Sequence, residues 1–238
     1  MNQLSPTGKR IAFFGGSFDP PHLGHVAVAR AARAALHLDE VLFAPVGLQP
    51  LKISPGNLGS RASFDDRVQM TRLAIGDDPG FSVTLVDAPS ASGRPNYTID
   101  TLTRLRASLG DETALFLLLG ADAFRLLPRW RRAVEVPFLA QLIVVSRPGE
   151  DLSDLARSLP AGLVLTPGPN ADADPTRREY EIQGPSGTQS RLYLLPDLQY
   201  EISATQLREQ VQTKNGRLIP ELLDSAVLEY IRSHGLYQ

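Results

Sequence analysis

The chain has 238 residues, with 24 Lys+Arg against 26 Asp+Glu, a formal net charge of −2. Apolar residues make up 42% and charged ones 21%, which excludes a disordered polyelectrolyte, and near-neutral charge argues against a nucleic-acid partner while leaving room for one phosphate pocket. The absence of cysteine excludes disulfides, thiolate zinc sites and a cysteine nucleophile; no apolar run nears the ~18 residues of a membrane span, and MNQLSPTGKR has no signal-peptide core. A single domain over 1–238, cytoplasmic and without a membrane partner, is expected, and a homo-oligomer is left open.

In chain order, Ile11–Gly15 (IAFFG) reads as a first strand and the Ala-rich His25–Leu36 as a first helix. Glu40–Val46 follows as a strand, Ser63–Ile75 as a helix opened by Ser63-x-x-Asp66, and Phe81–Val86 as a strand. Thr98–Leu109 places Ile99, Leu102, Leu105 and Leu109 on one stripe and stops at Gly110. Ala114–Gly120 and Leu139–Ser146 are strands apolar on both faces, as in a parallel sheet covered on both sides. Alternation of this kind predicts an α/β fold with a doubly wound, mostly parallel sheet.

The later region is less regular. Pro167–Ser190 is rich in Pro, Gly and charge and reads as a surface insertion or mobile loop. A strand at Arg191–Leu195 follows. The 203–238 segment then closes the chain with two helices, Ser203–Thr213 and Glu221–His234, the second led by Pro220 and ended by Gly235.

Two stretches point to chemistry. The first is Gly15-Gly16-Ser17-Phe18-Asp19-Pro20-Pro21-His22-Leu23-Gly24-His25, running from the first strand into the first helix. Chain order puts it at the carboxyl edge of the sheet, where open α/β folds bind ligands. Gly15 and Gly16 let the backbone approach a phosphate, and Pro20-Pro21 stiffen the turn. His22 and His25 can present their rings to one side, beside a helix start that favours an anion. A zinc site built on His22, His25 and Asp19 is the rival, but only His37 and His234 remain as further histidines. Neither a Walker A loop nor a G-x-G-x-x-G fingerprint occurs.

The second stretch is Ile202-Ser203-Ala204-Thr205-Gln206-Leu207-Arg208. Ser203 and Thr205 at a helix start could hold phosphate oxygens, with Arg208 about one turn on as a forked donor. The plain alternative is a serine cap and a solvated arginine.

Together GGSFDPPHLGH and ISATQLR resemble the nucleotidyltransferase superfamily marked by H-x-G-H and I-S-S-T-x-x-R. The closer likeness is to bacterial nicotinate-nucleotide adenylyltransferases, which join nicotinate mononucleotide to ATP in NAD synthesis. Asn96-Tyr97-Thr98-Ile99-Asp100-Thr101-Leu102 resembles the family's S-Y-T-I-D-T-L, and Leu119-Gly120-Ala121-Asp122 its G-A-D turn. Trp130, the Val145–Gly149 run (VSRPG), Tyr230-Ile231 and Gly235-Leu236-Tyr237 fit as well. The resemblance covers nearly the whole chain and implies a Rossmann-like nucleotidyltransferase fold. This chain departs from it in Ala204, in Leu51 where the family's P-P-H-K has histidine, and in the length of the 167–190 region.

By that resemblance, His22, His25 and Arg208 are the catalytic candidates. Gly15, Gly16, Ser17, Phe18, Lys52, Gly120, Asp122, Arg147, Ser203 and Thr205 are candidates for ATP. Tyr97, Thr98 and Trp130 are candidates for the acceptor, Trp130 by stacking on the pyridine. Read alone, Trp130 stands in a basic, solvated helix start, Asp122 could cap a helix, and Arg147 could be a loop charge. Arg61, Arg67 and Arg72 read as a solvated helical face, with Arg67 the one open to a structural part.

The resemblance implies ATP and nicotinate mononucleotide as partners, with Mg²⁺ carried by ATP and water and no protein metal ligand. Alternatives stay open at this point: nicotinamide mononucleotide as acceptor, or a non-catalytic nucleotide-binding regulator. Phosphopantetheine is disfavoured, because the resembled enzymes that use it are shorter chains without the tyrosine–threonine segment and the tryptophan. A class I aminoacyl-tRNA synthetase is disfavoured, because only the fragment Leu51-Lys52-Ile53-Ser54 stands where K-M-S-K-S would be needed.

Overall fold

The structure, a computed structural model, describes residues 8–52, 59–146, 155–169, 174, 176–196 and 222–237. Its strands are β1 (Arg10–Gly16), β2 (Glu40–Pro45), β3 (Phe81–Val83), β4 (Ala114–Gly120), β5 (Gln141–Val145), β6 (Val164–Pro167), β7 (Arg178–Gln183) and β8 (Gln189–Leu195). The helices are α1 (Leu23–Leu36), α2 (Phe64–Ile75), α3 (Thr98–Leu109), α4 (Ala121–Arg125), α5 (Val136–Leu139) and α6 (Ser225–Ser233). Strand order is β3-β2-β1-β4-β5-β8-β7-β6. The β1–β4, β4–β5 and β5–β8 pairs are parallel, and β8–β7 and β7–β6 antiparallel. The order reverses at β1, where Arg10–Phe13 lie in register with Ala114–Leu117 of β4. The doubly wound, mostly parallel sheet expected from the apolar runs is present, with an antiparallel extension on one side.

The described residues fall into two compact units, one made of those up to Phe14, within Ala31–Val41 and from Tyr97 to residue 196, the other of those within Gly15–Arg30, Leu42–Asn96 and 222–237. In the first, β4 and β5 contribute Leu115–Leu118 and Leu142–Val144, all almost fully buried. Continuous Leu/Ile/Val runs of this kind are what a strand covered on both faces requires. The α3 helix packs on α5 and is tied there by Arg106, which donates to the carbonyls of Thr113 and Leu139, each at 2.7 Å.

In the second unit α2 packs on α6. Their shared core joins Ala62 and Met70 to Leu223, Val227, Leu228, Ile231 and Tyr237. Ser63 caps α2 as expected: its Oγ accepts from the Asp66 N–H at 3.1 Å and donates to the Asp66 carboxylate at 2.6 Å.

The 167–190 reading needs correction. Residues 178–183 are β7, and Gln189 opens β8; Ile182 is wholly buried and Glu179 is 3% exposed. The Glu179 carboxylate is buried 3.4 Å from the Arg191 guanidinium on β8. A strand reading REYEIQ hides its two buried positions, one on each face, because Glu179 is charged and paired diagonally across the ladder with Arg191. The turn is Gly184–Thr188, closed by the Gly184 N–H on the Thr188 carbonyl, with Gly187 at φ 74°.

Other boundaries shift by a few residues. The β3 strand stops at Val83 because the Thr84 hydroxyl takes the Val86 N–H and turns the chain. Leu139 ends α5 rather than opening β5. The α6 helix starts at Ser225 because Asp224 caps it, accepting from the Ala226 N–H at 2.8 Å. The expected helix Ser203–Thr213 lies outside the described residues.

Candidate active site

The histidine loop leaves β1 at Gly16 and enters α1 at Leu23. Phe18 has φ 47° and tucks its ring back, so that a Cβ on Gly16 would lie only 3.0 Å from it. That close approach is why glycine suits position 16. The Phe18 ring meets the His25 ring edge-on at 5.0 Å. His22 is 7% exposed and stacks on half-buried His25, with ring centroids 3.6 Å apart.

The backbone N–H of His22 donates to Nδ1 of His25 at 3.1 Å. An accepting Nδ1 carries no proton, so neutral His25 holds its proton on Nε2 and offers a donor there. The two rings expected to share one side do so.

Beneath the loop, Asp19 is 3% exposed and accepts from the N–H groups of Arg61 at 2.7 Å and Ala62 at 3.1 Å, and from the Tyr237 hydroxyl at 2.8 Å. Arg67 is 2% exposed and donates to the Ser17 carbonyl at 2.7 Å. Burial pushes its guanidinium below the ordinary value, and the nearby Asp19 and Tyr237 push it back up. Arg67 is thus structural, while Arg61 and Arg72 are exposed as expected.

The segment after β2 is clamped beside this loop. Ser17 donates to the Gln49 side chain at 3.0 Å, and the Val46 N–H reaches the Gly16 carbonyl at 2.9 Å. Asn96 accepts the Leu48 N–H through Oδ1 and donates through Nδ2 to the Ala88 carbonyl. A Cβ on Gly47 would lie 2.5 Å from the Pro89 nitrogen, so only glycine lets these strand-end segments meet. Lys52 ends a short 3₁₀ turn, Pro50–Lys52.

In the other unit Tyr97 caps α3 without a side-chain hydrogen bond. The first-turn N–H groups of Thr98 and Ile99 have no intrahelical acceptor and suit an anion. The Arg131 guanidinium lies 4.8 Å over the Tyr97 ring and 3.5 Å from Asp100, which brings the Trp130 segment to the start of α3. Trp130 is half-buried, following the 3₁₀ turn Leu127–Arg129. At Gly120 a Cβ would meet nothing within 4 Å. Asp122 stands in the first turn of α4 rather than at its cap, 3.3 Å from Arg125.

Residues 13–210 match the cytidylyltransferase-like family. The chain belongs to that family. A relative from Roseiflexus sp. (strain RS-1), named "Probable nicotinate-nucleotide adenylyltransferase", is 39% identical over 96% of this chain and 98% of its own length. One of the same name from Xylella fastidiosa (strain M12) is 36% identical over 94% and 95%. A solved structure of Plasmodium falciparum nicotinic acid mononucleotide adenylyltransferase complexed with NaAD superposes with TM-score 0.68 at 16% identity, covering 96% of this chain and 97% of that one. That likeness concerns the fold.

In this cytidylyltransferase-like protein, Arg147, Ser203, Thr205 and Arg208 lie outside the described residues, as does the Lys52 side chain. Among the described residues no three His, Asp or Glu side chains converge as a metal-binding set. The zinc alternative also loses Asp19, whose carboxylate is taken up by two backbone donors and a phenol. Among the described residues no helix is long and apolar enough to cross a membrane. Sequence reading missed the supporting parts played by Gln49, Asn96 and Asp19. Asp19 and Asn96 left a signal, Asp19 inside the histidine motif and Asn96 where the resembled segment has serine.

Proposed function

We propose that this protein transfers the adenylyl group of ATP to nicotinate mononucleotide, forming nicotinate adenine dinucleotide and pyrophosphate in NAD synthesis. The observation that carries the reading is the stacked histidine pair, with the His25 proton directed to Nε2 by the His22 backbone, in a glycine loop that follows β1. The relatives of the same name, matched over nearly their whole length, support the choice of reaction.

The 5′-phosphate of the mononucleotide attacks the α-phosphorus of ATP; the new P–O bond forms as the bond to the β-phosphate oxygen breaks. The nucleophile is already ionised near neutral pH, so no strong base is needed. Catalysis is positioning and charge stabilisation. His25 donates Nε2–H to a phosphate oxygen whose negative charge grows in the transition state, and His22 backs it.

Gly15, Gly16, Ser17 and Phe18 let the loop backbone approach the phosphates. Lys52, Arg147, Ser203, Thr205 and Arg208 supply further donors, and Gly120 and Asp122 meet the nucleoside. Thr98 offers its N–H to the acceptor's carboxylate beside Tyr97, and Trp130 stacks on the pyridine. Mg²⁺ would be carried by ATP and water rather than by a protein ligand, and would supply neutralisation of the phosphate charge.

The test is pyrophosphate release with ATP and Mg²⁺, using nicotinate mononucleotide, nicotinamide mononucleotide and phosphopantetheine in turn. Release with the first acceptor well above the others is expected. ATP binding without release under any acceptor would replace this reading with a nucleotide-binding regulator.

A further inference from the structure

We propose that Tyr237 is a positioning residue for the histidine pair, acting through Asp19. Its phenol, buried in the α2–α6 core, donates to the Asp19 carboxylate at 2.8 Å across 218 residues of chain. The same carboxylate is held by the N–H groups of Arg61 and Ala62, just before α2. Arg67, from the first turns of α2, holds the Ser17 carbonyl two residues upstream. The loop is therefore pinned at Ser17 and Asp19 by α2, its N-terminal lead and Tyr237.

What lies downstream gives this pinning its consequence. Asp19 is followed by Pro20 and Pro21, both buried, and then by His22. Two successive prolines fix φ at both positions and both are buried, which leaves little besides ψ to take up a displacement at Asp19 before it reaches His22. The backbone N–H of His22 is the donor that holds Nδ1 of His25. Tyr237 thus acts on the tautomer and aim of His25 through a rigid segment, without meeting a substrate itself. The Leu23 N–H donates to the Leu222 carbonyl at 3.0 Å, a second tie between the start of α1 and the segment before α6.

The effect on turnover rests on the reading of His25 given above; the effect on the His25 tautomer does not. Tyr237→Phe removes the hydroxyl and keeps the ring in its core. Long-range ¹H–¹⁵N spectra of the imidazoles suit a chain with four histidines. The parent is expected to show His25 as the Nε2–H tautomer, and Tyr237→Phe a mixture of tautomers. Turnover is expected to fall about 10-fold, within the range that a misplaced catalytic group costs, with KM for both substrates within about twofold.

A merely structural role would lower the melting temperature and leave the His25 spectrum of the folded variant unchanged. That result overturns the proposal. Asp19→Asn supplies the coupling test. If Tyr237 acts through Asp19, adding Tyr237→Phe to Asp19→Asn changes the His25 spectrum no further; independent, additive changes overturn the proposal. A His25 tautomer that responds while turnover does not would leave the positioning intact and refute the histidine mechanism instead.

Discussion

The N–H of His22 donates to Nδ1 of His25 at 3.1 Å, while the two rings stack 3.6 Å apart, so one histidine sets the protonated nitrogen of the other. Removing the second ring should therefore cost chemistry more than folding. His25→Ala is expected to lower turnover ~10²–10³-fold, the usual cost of a lost donor in a preorganised site. Because His25 is only half-buried, stability should change by no more than about 1 kcal/mol. Steady-state kinetics beside a thermal melt checks both; full turnover with a lowered melting temperature would make the histidine structural.

Acceptor choice should follow charge. On the proposed reading the acceptor's carboxylate meets the start of α3, where Tyr97 adds no side-chain cap bond and Arg131, paired with Asp100, lies over the Tyr97 ring. A carboxamide would set its own NH₂ donors against those N–H groups, a mismatch that discriminates by orders of magnitude. The nicotinate form should be strongly preferred in kcat/KM. Trp130→Ala should weaken both acceptors by similar factors, since stacking does not distinguish them. Equal efficiency of the parent with both acceptors would defeat the nicotinate assignment.

Ser63 joins a helix cap to a titrating group. Its hydroxyl, the largest influence, holds the Asp66 carboxyl below the ordinary value of 3.8, with a smaller push in the same direction from Tyr230. A carboxylate depressed in the folded state adds stability above its unfolded pKa, and that stability is lost as pH falls through the folded value. Ser63→Ala should cost about 1 kcal/mol at neutral pH. Denaturant titrations at several pH values should show the gap to the parent narrowing below about pH 4, as Asp66 protonates in the unfolded and then the folded chain. A gap that is constant down to pH 2 would mean the cap alone is felt.

The β7 strand gives a test of the corrected region. Ile182 is fully buried within a six-residue strand otherwise rich in charge. Ile182→Ala should destabilise by roughly 2–4 kcal/mol, the cost of a core cavity. Thermal or denaturant unfolding decides it, and a change below about 0.5 kcal/mol would return the segment to a surface loop.

Much of the fold was legible in local pattern. IAFFG, ALFLLLG and the 141–145 run are apolar on both faces because they lie inside a parallel sheet, and Thr98–Leu109 coincides with α3 because its stripe and Gly110 both act locally. The histidine loop was equally visible, since glycines, prolines and H-x-G-H are all contiguous. What no local pattern held was the use made of polar residues far apart in the chain. Glu179 is buried with Arg191 reaching it diagonally from the next strand, Arg67 because Ser17 and Asp19 come to rest against it, and Tyr237 because it donates to a carboxylate 218 residues away. Burying a charged or polar group is unfavourable until its partner arrives. Periodicity can announce an apolar face in advance, whereas a buried polar pair is decided only when tertiary structure brings both halves together.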